Sequence, residues 1–451
     1  MRATISRQLP LMPPAVEHVH AAVLEKISEV LDANPTIAGL AYLDLTRGGH
    51  GGRGRRGMSG DRAVRVAVLK QLAQLSYEAL AFSLQDSCTY RRFCKLGLGE
   101  PAPRHSALQD NIKRLTPETW ELINRVLVEY ALKAGVDSCT RLRVDCTPVE
   151  ANIHPPSDSS LLWDTTRTLT RLMSRAREHL RLQVQDRTAE AKQVNVKIFY
   201  GGKGPARDAA YAKLMEITAG VCDRAERVTA RLHAVRGDRR ARRPAARLAE
   251  RIAHFVELGR RVLDQTRRRV VEQEKVPSSE KVVSIFEPHT DVIVPSERKV
   301  VFGHKVCLTV GESALIIDAV VEDGAPADKT LAVRQVRRAA EIVGRVPRQV
   351  VFDGAFASRD NLVDIKGDGV KDVVFSKAPG ISARDMTASP RTHHLLKKFR
   401  AGIEGCISFV KRALGLDRCT WRGEESFASY VWVSVVGANL LTIARALLEA
   451  T

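Results

Sequence analysis

Three acidic residues stand where carboxylates commonly do chemistry. Asp145 and Asp353 each come at the end of a short apolar run that is typical of a β-strand, and Glu404 lies in the amphipathic stretch KKFRAGIEGCISFVKRALG at 397–415. Ligands of open α/β sheets usually bind beyond the strand ends, and carboxylates that converge there repel one another unless a cation neutralises them. Mg²⁺ prefers such oxygen ligands, and two ions about 3.5–4 Å apart can activate water at a phosphodiester. The three acids therefore predict a divalent-metal site.

The stretch at 397–415 supports two interpretations of Glu404. If this stretch is one α-helix, Arg400, Glu404 and Lys411 lie on nearly the same face, beside an apolar stripe. Glu404 is then either half of a surface ion pair worth a few tenths of a kcal/mol, or the last acid of a site assembled from distant segments. In the second case the two bases would hold phosphates beside the reacting bond. The residues alone leave both interpretations open.

The charge balance favours a nucleic acid as partner. Lys and Arg number 71 against 52 Asp and Glu, which gives a formal charge of +19. The excess falls mostly as arginine, whose forked guanidinium matches phosphate. A generally basic protein without such a partner is the alternative. With 44% hydrophobic residues the chain can bury a core, which argues against wholesale disorder, and 451 residues suggest about three domains.

The cysteines and the apolar segments predict a cytosolic protein with reduced thiols. None of the eight cysteines forms a CxxC pair, which argues against a zinc site or a disulfide framework. Residues 1–16 contain no apolar run long enough for a signal peptide. The most apolar stretch, 431–448, is interrupted by Ser434, Gly437, Asn439 and Arg445, so it predicts a buried helix and not a membrane span.

The residues before the first predicted strand look helical. Residues 48–61 form a glycine-rich, basic connection, and 64–75 and 77–84 carry helical apolar spacing. Thr116 followed by proline predicts a helix start, and Gly135 predicts its end. Such a block of short helices with scattered arginines is either a DNA-binding module or a scaffold, and periodicity does not separate the two.

The remainder predicts a mixed α/β sheet with a helical insertion. Strands are predicted at 141–146, at 299–310 and 314–321 as a hairpin, at 349–353 and at 370–376, with a helix at 329–343. Between the first two strands, residues 161–275 are helical and strongly basic, and Gly237 and Pro244 should divide them into at least two long helices. We therefore predict an N-terminal helical DNA-binding domain at 1–138, a discontinuous α/β core at 139–160 and 276–451, and a basic helical insertion at 161–275.

Several stretches resemble the DDE transposases of bacterial insertion sequences. The similar stretches are GMSGDRAVRVAVLKQLAQLSYEALAFSLQDSCTYRRFCKL (57–96), RVDCTPVEANIHPPSDSSLLWDTTR (143–167), FGHKVCLTV with LIIDAVVEDGAPAD (302–310 and 315–328, ending in the Asp328 turn) and VVFDGAFASRDN (350–361). The resemblance extends from about residue 57 to residue 439, except for the middle of the helical insertion. One branch of the family carries Tyr, Arg, Glu and Lys spaced Y-x2-R-x3-E-x6-K, and here Arg400, Glu404 and Lys411 fit while Lys397 holds the Tyr position.

The resemblance implies a set of functional residues and a chemistry. Asp145, Asp353 and Glu404 would be the catalytic acids and metal ligands of an RNase H-like α/β core, with Lys397, Arg400 and Lys411 as DNA contacts. Each site would hold two Mg²⁺ ions, with Mn²⁺ as a substitute. The enzyme would cleave double-stranded DNA at the terminal inverted repeats of its element and transfer the ends into target DNA, as a homodimer in the synaptic complex, at the nucleoid in the bacterial cytoplasm and without a membrane partner. Two alternatives stay open: a metal-dependent nuclease without strand transfer, and a non-catalytic DNA-binding protein derived from a transposase.

Overall fold

The structure of the protein is a computed structural model that describes residues 3–4, 11, 15–47, 57–235, 239–296 and 299–450. Most of the predicted basic connection at 48–61, and Gly237, lie outside the described residues. The chain divides into two compact units, one formed by Met1–Glu150 with His304–Thr451 and the other by Ala151–Gly303. The functional domains drawn from the sequence have other boundaries, and they stay a prediction.

Helices make up most of the ordered structure. In chain order they are α1 (Val19–Ala33), α2 (Pro35–Thr46), α3 (Gly60–Leu72), α4 (Tyr77–Asp86), α5 (Cys88–Phe93), α6 (His105–Ile112), α7 (Pro117–Lys133), α8 (Asp158–Arg175), α9 (Thr188–Tyr200), α10 (Pro205–His233), α11 (Arg239–Thr266), α12 (Ala332–Val343), α13 (Arg359–Gly367), α14 (Ala383–Met386), α15 (Pro390–Arg400), α16 (Gly402–Ala413) and α17 (Glu424–Glu449). The helices predicted around 64–84 are confirmed as α3 and α4. The predicted ends of α7 are confirmed too, since the Thr116 hydroxyl caps its first turn and Gly135 follows it with φ +70°.

The strands form one mixed sheet. They are β1 (Arg141–Glu150), β2 (Asp291–Ser296), β3 (Lys299–Val310), β4 (Ile316–Val321), β5 (Gln349–Phe352) and β6 (Asp372–Phe375). The order is β2-β3-β1-β5-β6, with β4 also paired to β3, and β1, β5 and β6 run parallel. The mixed sheet and the β3–β4 hairpin are thus confirmed, whereas β2, which pairs antiparallel with the first half of β3, was not predicted.

The parallel register aligns the middle of β1 with the ends of β5 and β6. Val144 of β1 lies opposite Phe352 of β5, and Phe352 lies opposite Phe375 of β6. The next residue on each strand therefore falls in one row across the sheet, on one face, because side chains alternate along a strand. That row consists of Asp145, Asp353 and Ser376.

Residues 151–303 form a helical unit with its own core. Apolar residues of α8, α10 and α11 pack into one cluster, among them Leu169, Val221 and Ile252. Long helices were predicted here, and they are confirmed. The expectation that Pro244 separates two helices is wrong, because α11 runs through this residue. The residues just after Pro244, among them Ala245 and Ala249, are buried in the same cluster, so tertiary packing maintains the helix across the proline.

The last helix, α17, is a core element of the other unit. It is the one helix in the described residues that is long and apolar enough to cross a membrane, yet 67% of its apolar window is buried within the fold, as in the core helices of globular proteins. Asn439, fully buried, accepts a hydrogen bond from the Ile316 N–H (2.8 Å) and donates to the Asn124 side chain (2.7 Å). These amide contacts fasten α17 to α7 and β4. All eight cysteines are free thiols, as predicted.

Replacing Asn439 by alanine should destabilise the protein by about 2–4 kcal/mol, because it strands buried polar groups on Asn124 and Ile316. The measurement is urea denaturation followed by circular dichroism. Thr442→Ala on the same helix is the matched control, since Thr442 is only partly buried. Equal stability of the two variants would show that the buried amides do not hold α17 in place.

Candidate active site

Asp145 and Asp353 lie side by side, as the register requires. The Asp145 carboxylate accepts a hydrogen bond from the Cys146 N–H (2.8 Å), and the Asp353 carboxylate accepts one from the Ser376 hydroxyl (2.8 Å). Asp145 is the more buried of the two, with 18% of its side chain exposed against 41% for Asp353. Two carboxylates this close need a positive charge between them.

Arg400 supplies that charge. Its Nη2 atom lies 2.9 Å from Asp353 Oδ1 and 3.9 Å from Asp145 Oδ2. Its Nη1 atom lies 3.0 Å from Glu404 Oε1. One guanidinium at the end of α15 therefore meets all three acids that the sequence singled out, which come from β1, from the residue after β5 and from α16.

Glu404 forms a surface ion pair and also belongs to the cluster of three acids, so each interpretation that the sequence left open describes part of its surroundings. It forms the i,i+4 ion pair with Arg400, its side chain is 67% exposed, and the same arginine joins it to the two aspartates. The expectation of one continuous helix at 397–415 is wrong, because α15 ends at Arg400 and α16 begins at Gly402. The physical reason is that the two helices pack on different strands. Leu396 and Phe399 hold α15 against β5 and β6, whereas α16 packs against β1.

The other two predicted DNA contacts lie away from the carboxylates. Lys397 is exposed on α15. The Lys411 ammonium donates to the Pro148 carbonyl (2.9 Å) and lies 3.5 Å from Asp417. Among the described residues, the structure thus brings Arg400 to the acids and does not bring Lys397 or Lys411 into contact with them.

A groove of about 580 Å³ lies beside Glu404. Its lining comes from the end of β1 and one face of α16, and the residues are Cys146, Thr147, Glu404, Ile407, Ser408, Lys411, Arg412 and Asp417. The groove therefore presents basic and acidic side chains together, next to the row of aspartates.

The environment separates the pKa values of the two aspartates. Burial raises the pKa of Asp145 to about 6 from its ordinary value of 3.8, against the opposing pull of the Cys146 N–H and Arg400. Burial also acts to raise the pKa of Asp353, but the Ser376 hydroxyl, the Gly354 N–H and Arg400 together hold it below its usual range. Both groups are mostly ionised at neutral pH, and Asp145 is the one whose proton is lost last.

The carboxylate oxygens of Asp145, Asp353 and Glu404 suit a hard divalent cation, although in this structure the three acids are paired with Arg400. As placed, no three His, Cys, Asp or Glu side chains among the described residues stand close enough to hold a metal ion. The three carboxylates nevertheless surround a point that already carries positive charge, and their oxygens are the ligands that Mg²⁺ prefers. The Arg400 Nε atom is buried without a hydrogen-bond partner, so the guanidinium is incompletely satisfied where it lies.

Sequence reasoning missed two residues at the site: Ser376 contacts an acid, and Arg143 bonds to the Phe399 carbonyl beside Arg400. Ser376 bonds to Asp353 and follows β6 in the way that Asp353 follows β5, so the strand pattern contained its position. Arg143 lies two residues before Asp145 on the same face of β1, which the alternation of that strand also indicated. Neither residue stood out by its type, because serine and arginine are common throughout the chain.

The pKa of Asp145 predicts a specific pH dependence of stability in metal-free protein. Since the folded state binds this proton more tightly than the unfolded chain, Asp145 adds stability below pH 4 and loses that contribution as the pH rises from about 4 to about 6. Asp145→Asn should therefore flatten the pH dependence in that window, as measured by urea denaturation at several pH values in EDTA. The exposed Asp417→Asn is the control, and an unchanged slope for Asp145→Asn would contradict the raised pKa.

Comparison with known families agrees with this geometry. The chain matches the family model described as Transposase domain (DUF772) over residues 15–114 and the one described as Transposase DDE domain over residues 262–440. The second match contains Asp353, Arg400 and Glu404, while Asp145 lies outside both. No curated protein and no solved structure matches the chain. Both family matches name transposases, and the chain belongs to the DDE transposases of insertion sequences.

Proposed function

We propose that this transposase cleaves DNA at the ends of its element and transfers the freed 3′ ends into target DNA, using Asp145, Asp353 and Glu404. The observation that carries the proposal is the contact of one guanidinium with three carboxylates from separate segments. Arg268 also meets three acids, but these lie on an exposed surface, whereas at Arg400 two of the acids stand side by side in a partly buried row on the sheet. The sheet, in which Asp145 on β1 lies in the same row as the residue that follows the adjacent parallel strand β5, supports an RNase H-like core.

In this proposal the three carboxylates would hold two Mg²⁺ ions, or Mn²⁺ as a substitute. Such ions would supply activation of the attacking water or 3′-hydroxyl and stabilisation of the leaving oxygen. Asp353 is held in place by Ser376, and Asp145 by the backbone of β1. Arg400 must leave the carboxylates for the cations to bind, and its fork then suits a DNA phosphate near the reacting bond.

DNA contacts extend along the same edge of the sheet. Lys397 and Arg400 lie one turn apart on α15, and Lys411 on α16 lines the groove beside Glu404. The formal charge of +19 supports binding to phosphates of the terminal inverted repeats and of target DNA. The N-terminal helices, which match the transposase domain, are proposed to bind the element ends, and the basic helical insertion to assist them.

The assembly and the location follow from the reaction. Joining two element ends requires both to be held at once, which a homodimer provides by symmetry. The substrate places the working enzyme on DNA at the nucleoid, in the bacterial cytoplasm. A nuclease with the same three acids would cleave ends without joining them, and an assay with labelled target DNA separates the two activities.

Asp145→Asn, Asp353→Asn and Glu404→Gln should each abolish cleavage of end-bearing DNA in Mg²⁺, while specific binding to the ends persists. Each change keeps the side-chain volume and removes one negative charge, so metal binding is what is lost. Cleavage is measured on supercoiled or end-bearing DNA beside a binding assay for every variant. Asp417→Asn, an exposed acid next to the same helix, should cleave normally. Robust cleavage by Glu404→Gln would return Glu404 to the surface ion-pair interpretation.

Arg400→Gln should strengthen Mn²⁺ binding to the DNA-free protein by about tenfold, because no internal cation then competes for the carboxylates. The same variant should bind DNA ends more weakly, since a phosphate contact is lost. Mn²⁺ affinity is measured by electron paramagnetic resonance at fixed pH. Lys398→Gln, an exposed cation on the same helix, serves as the control. Weaker Mn²⁺ binding by Arg400→Gln would show that Arg400 does not occupy the cation position.

A further inference from the structure

Arg143 is a buried arginine that hydrogen-bonds to backbone carbonyls. It shares a face of β1 with Asp145. Its Nη2 atom donates to the carbonyls of Gly311 (2.9 Å) and Glu312 (3.0 Å) in the β3–β4 turn. Its Nη1 atom donates to the Phe399 carbonyl (3.2 Å), one residue before the end of α15. One side chain on β1 thus fastens a turn and a helix end to the strand that carries Asp145.

The same guanidinium fills the space beside Gly402. A Cβ atom added to Gly402 would lie 1.6 Å from Arg143 Nη1, which no packing tolerates. The end of a long side chain can often move aside, but here the carbonyls hold the guanidinium, which also lies 4.2 Å from the centre of the Phe399 ring. Arg143 and Gly402 therefore fit together at the junction between α15 and α16.

We propose that Arg143 is a positioning residue of the active site: it locks the α15–α16 junction against β1 and so sets where Arg400 and Glu404 stand relative to Asp145. The proposal rests on the proposed function. Arg400 is the last residue of α15 and Glu404 lies in the first turn of α16, so any change at the junction moves both. Displacement of a catalytic group by about 1 Å can cost about 100-fold in rate.

A packing role alone does not require an arginine here. Burying a charged guanidinium is costly, so an apolar side chain would fill the face of β1 with less penalty. An apolar side chain cannot bond to the turn and to α15 at once. The forked donor therefore fixes the position of the junction between α15 and α16. Arg400 lies directly before this junction, and Glu404 lies in the first turn after it.

The first test compares two glycines of α16. Gly402→Ala and Gly405→Ala add the same methyl group to the same helix, but the Cβ added at Gly405 meets nothing within 4 Å. We expect Gly402→Ala to lower kcat on end-bearing DNA by at least about tenfold with KM for DNA within about threefold, because Glu404 and Arg400 are displaced while the other proposed DNA contacts remain. Gly405→Ala should stay within about twofold of the wild type in both. Equal kcat values for the two variants would overturn the proposal.

The second test removes the guanidinium. Arg143→Ala opens the space beside Gly402, so adding Gly402→Ala to it should lower kcat by less than about twofold further. Effects that multiply in the double variant would mean that the two residues act independently, against the proposal. Circular dichroism and urea denaturation establish that each variant is folded. If Arg143→Ala does not fold, Arg143→Lys, which keeps the charge and loses the fork, takes its place and should show the same loss of kcat as Gly402→Ala.

A third measurement reads the position of Glu404 without catalysis. In the wild-type background Glu404→Gln should weaken Mn²⁺ binding to the DNA-free protein, and in the Gly402→Ala background it should have no further effect. An equal weakening in both backgrounds would show that the junction does not position Glu404. Asp145→Asn distinguishes failure of this proposal from failure of the proposed function. If Asp145→Asn still cleaves DNA, the proposed function is wrong. If Asp145→Asn is inactive and Gly402→Ala behaves like Gly405→Ala, only the role of Arg143 is wrong.

Discussion

The candidate site depends on the position of one positive charge, the Arg400 guanidinium. Asp145 and Asp353 come from adjacent strands and would repel each other strongly in a partly buried row without it. Removing one partner from such a cluster leaves the remaining charges uncompensated, which is more damaging than the loss of an exposed ion pair. The same guanidinium draws Glu404 towards the sheet. The arrangement of three acids from three segments is therefore held electrostatically as much as by packing.

That electrostatic cluster in turn requires the parallel register of β1, β5 and β6. A slip of one residue would move Asp145 or Asp353 to the opposite face of the sheet, away from α15. β1 also extends beyond β5, to Glu150, whose backbone N–H and carbonyl bond to Asp417 and Cys419. α16 packs against β1, and the part of β1 that extends beyond β5 supplies the Pro148 carbonyl that Lys411 contacts. Register and strand length together thus decide which helices can face the acids.

Local patterns in the sequence predicted every strand except β2, the position of the two aspartates and the ends of α7, because alternation, apolar runs and capping residues are properties of short segments. They did not predict the break at Ala401, since that break follows from α15 and α16 packing on different strands. Pro244 misled for a related reason: Ala245 and Ala249 of α11 pack into the core of the helical unit, and such tertiary packing overrides local propensity. The meeting of Arg400 with all three acids, and of Arg143 with Gly402, arises from tertiary placement of residues far apart in the chain.

The contact between Asn124 and Asn439 constrains the order in which parts of the chain can fold during synthesis. These two residues are 315 positions apart, so at ordinary rates of synthesis about 15–60 s separate their release from the ribosome. During that interval α7 and the edge of β4 lack the helix that buries them, whereas residues 151–303 are already complete and have their own apolar clusters. Residues 151–303 can therefore fold before α17 is synthesised, whereas the flanking parts of the chain cannot complete their core until α17 is present. α15 and α16 also emerge after residues 151–303, so the three acids meet only once both helices have left the ribosome.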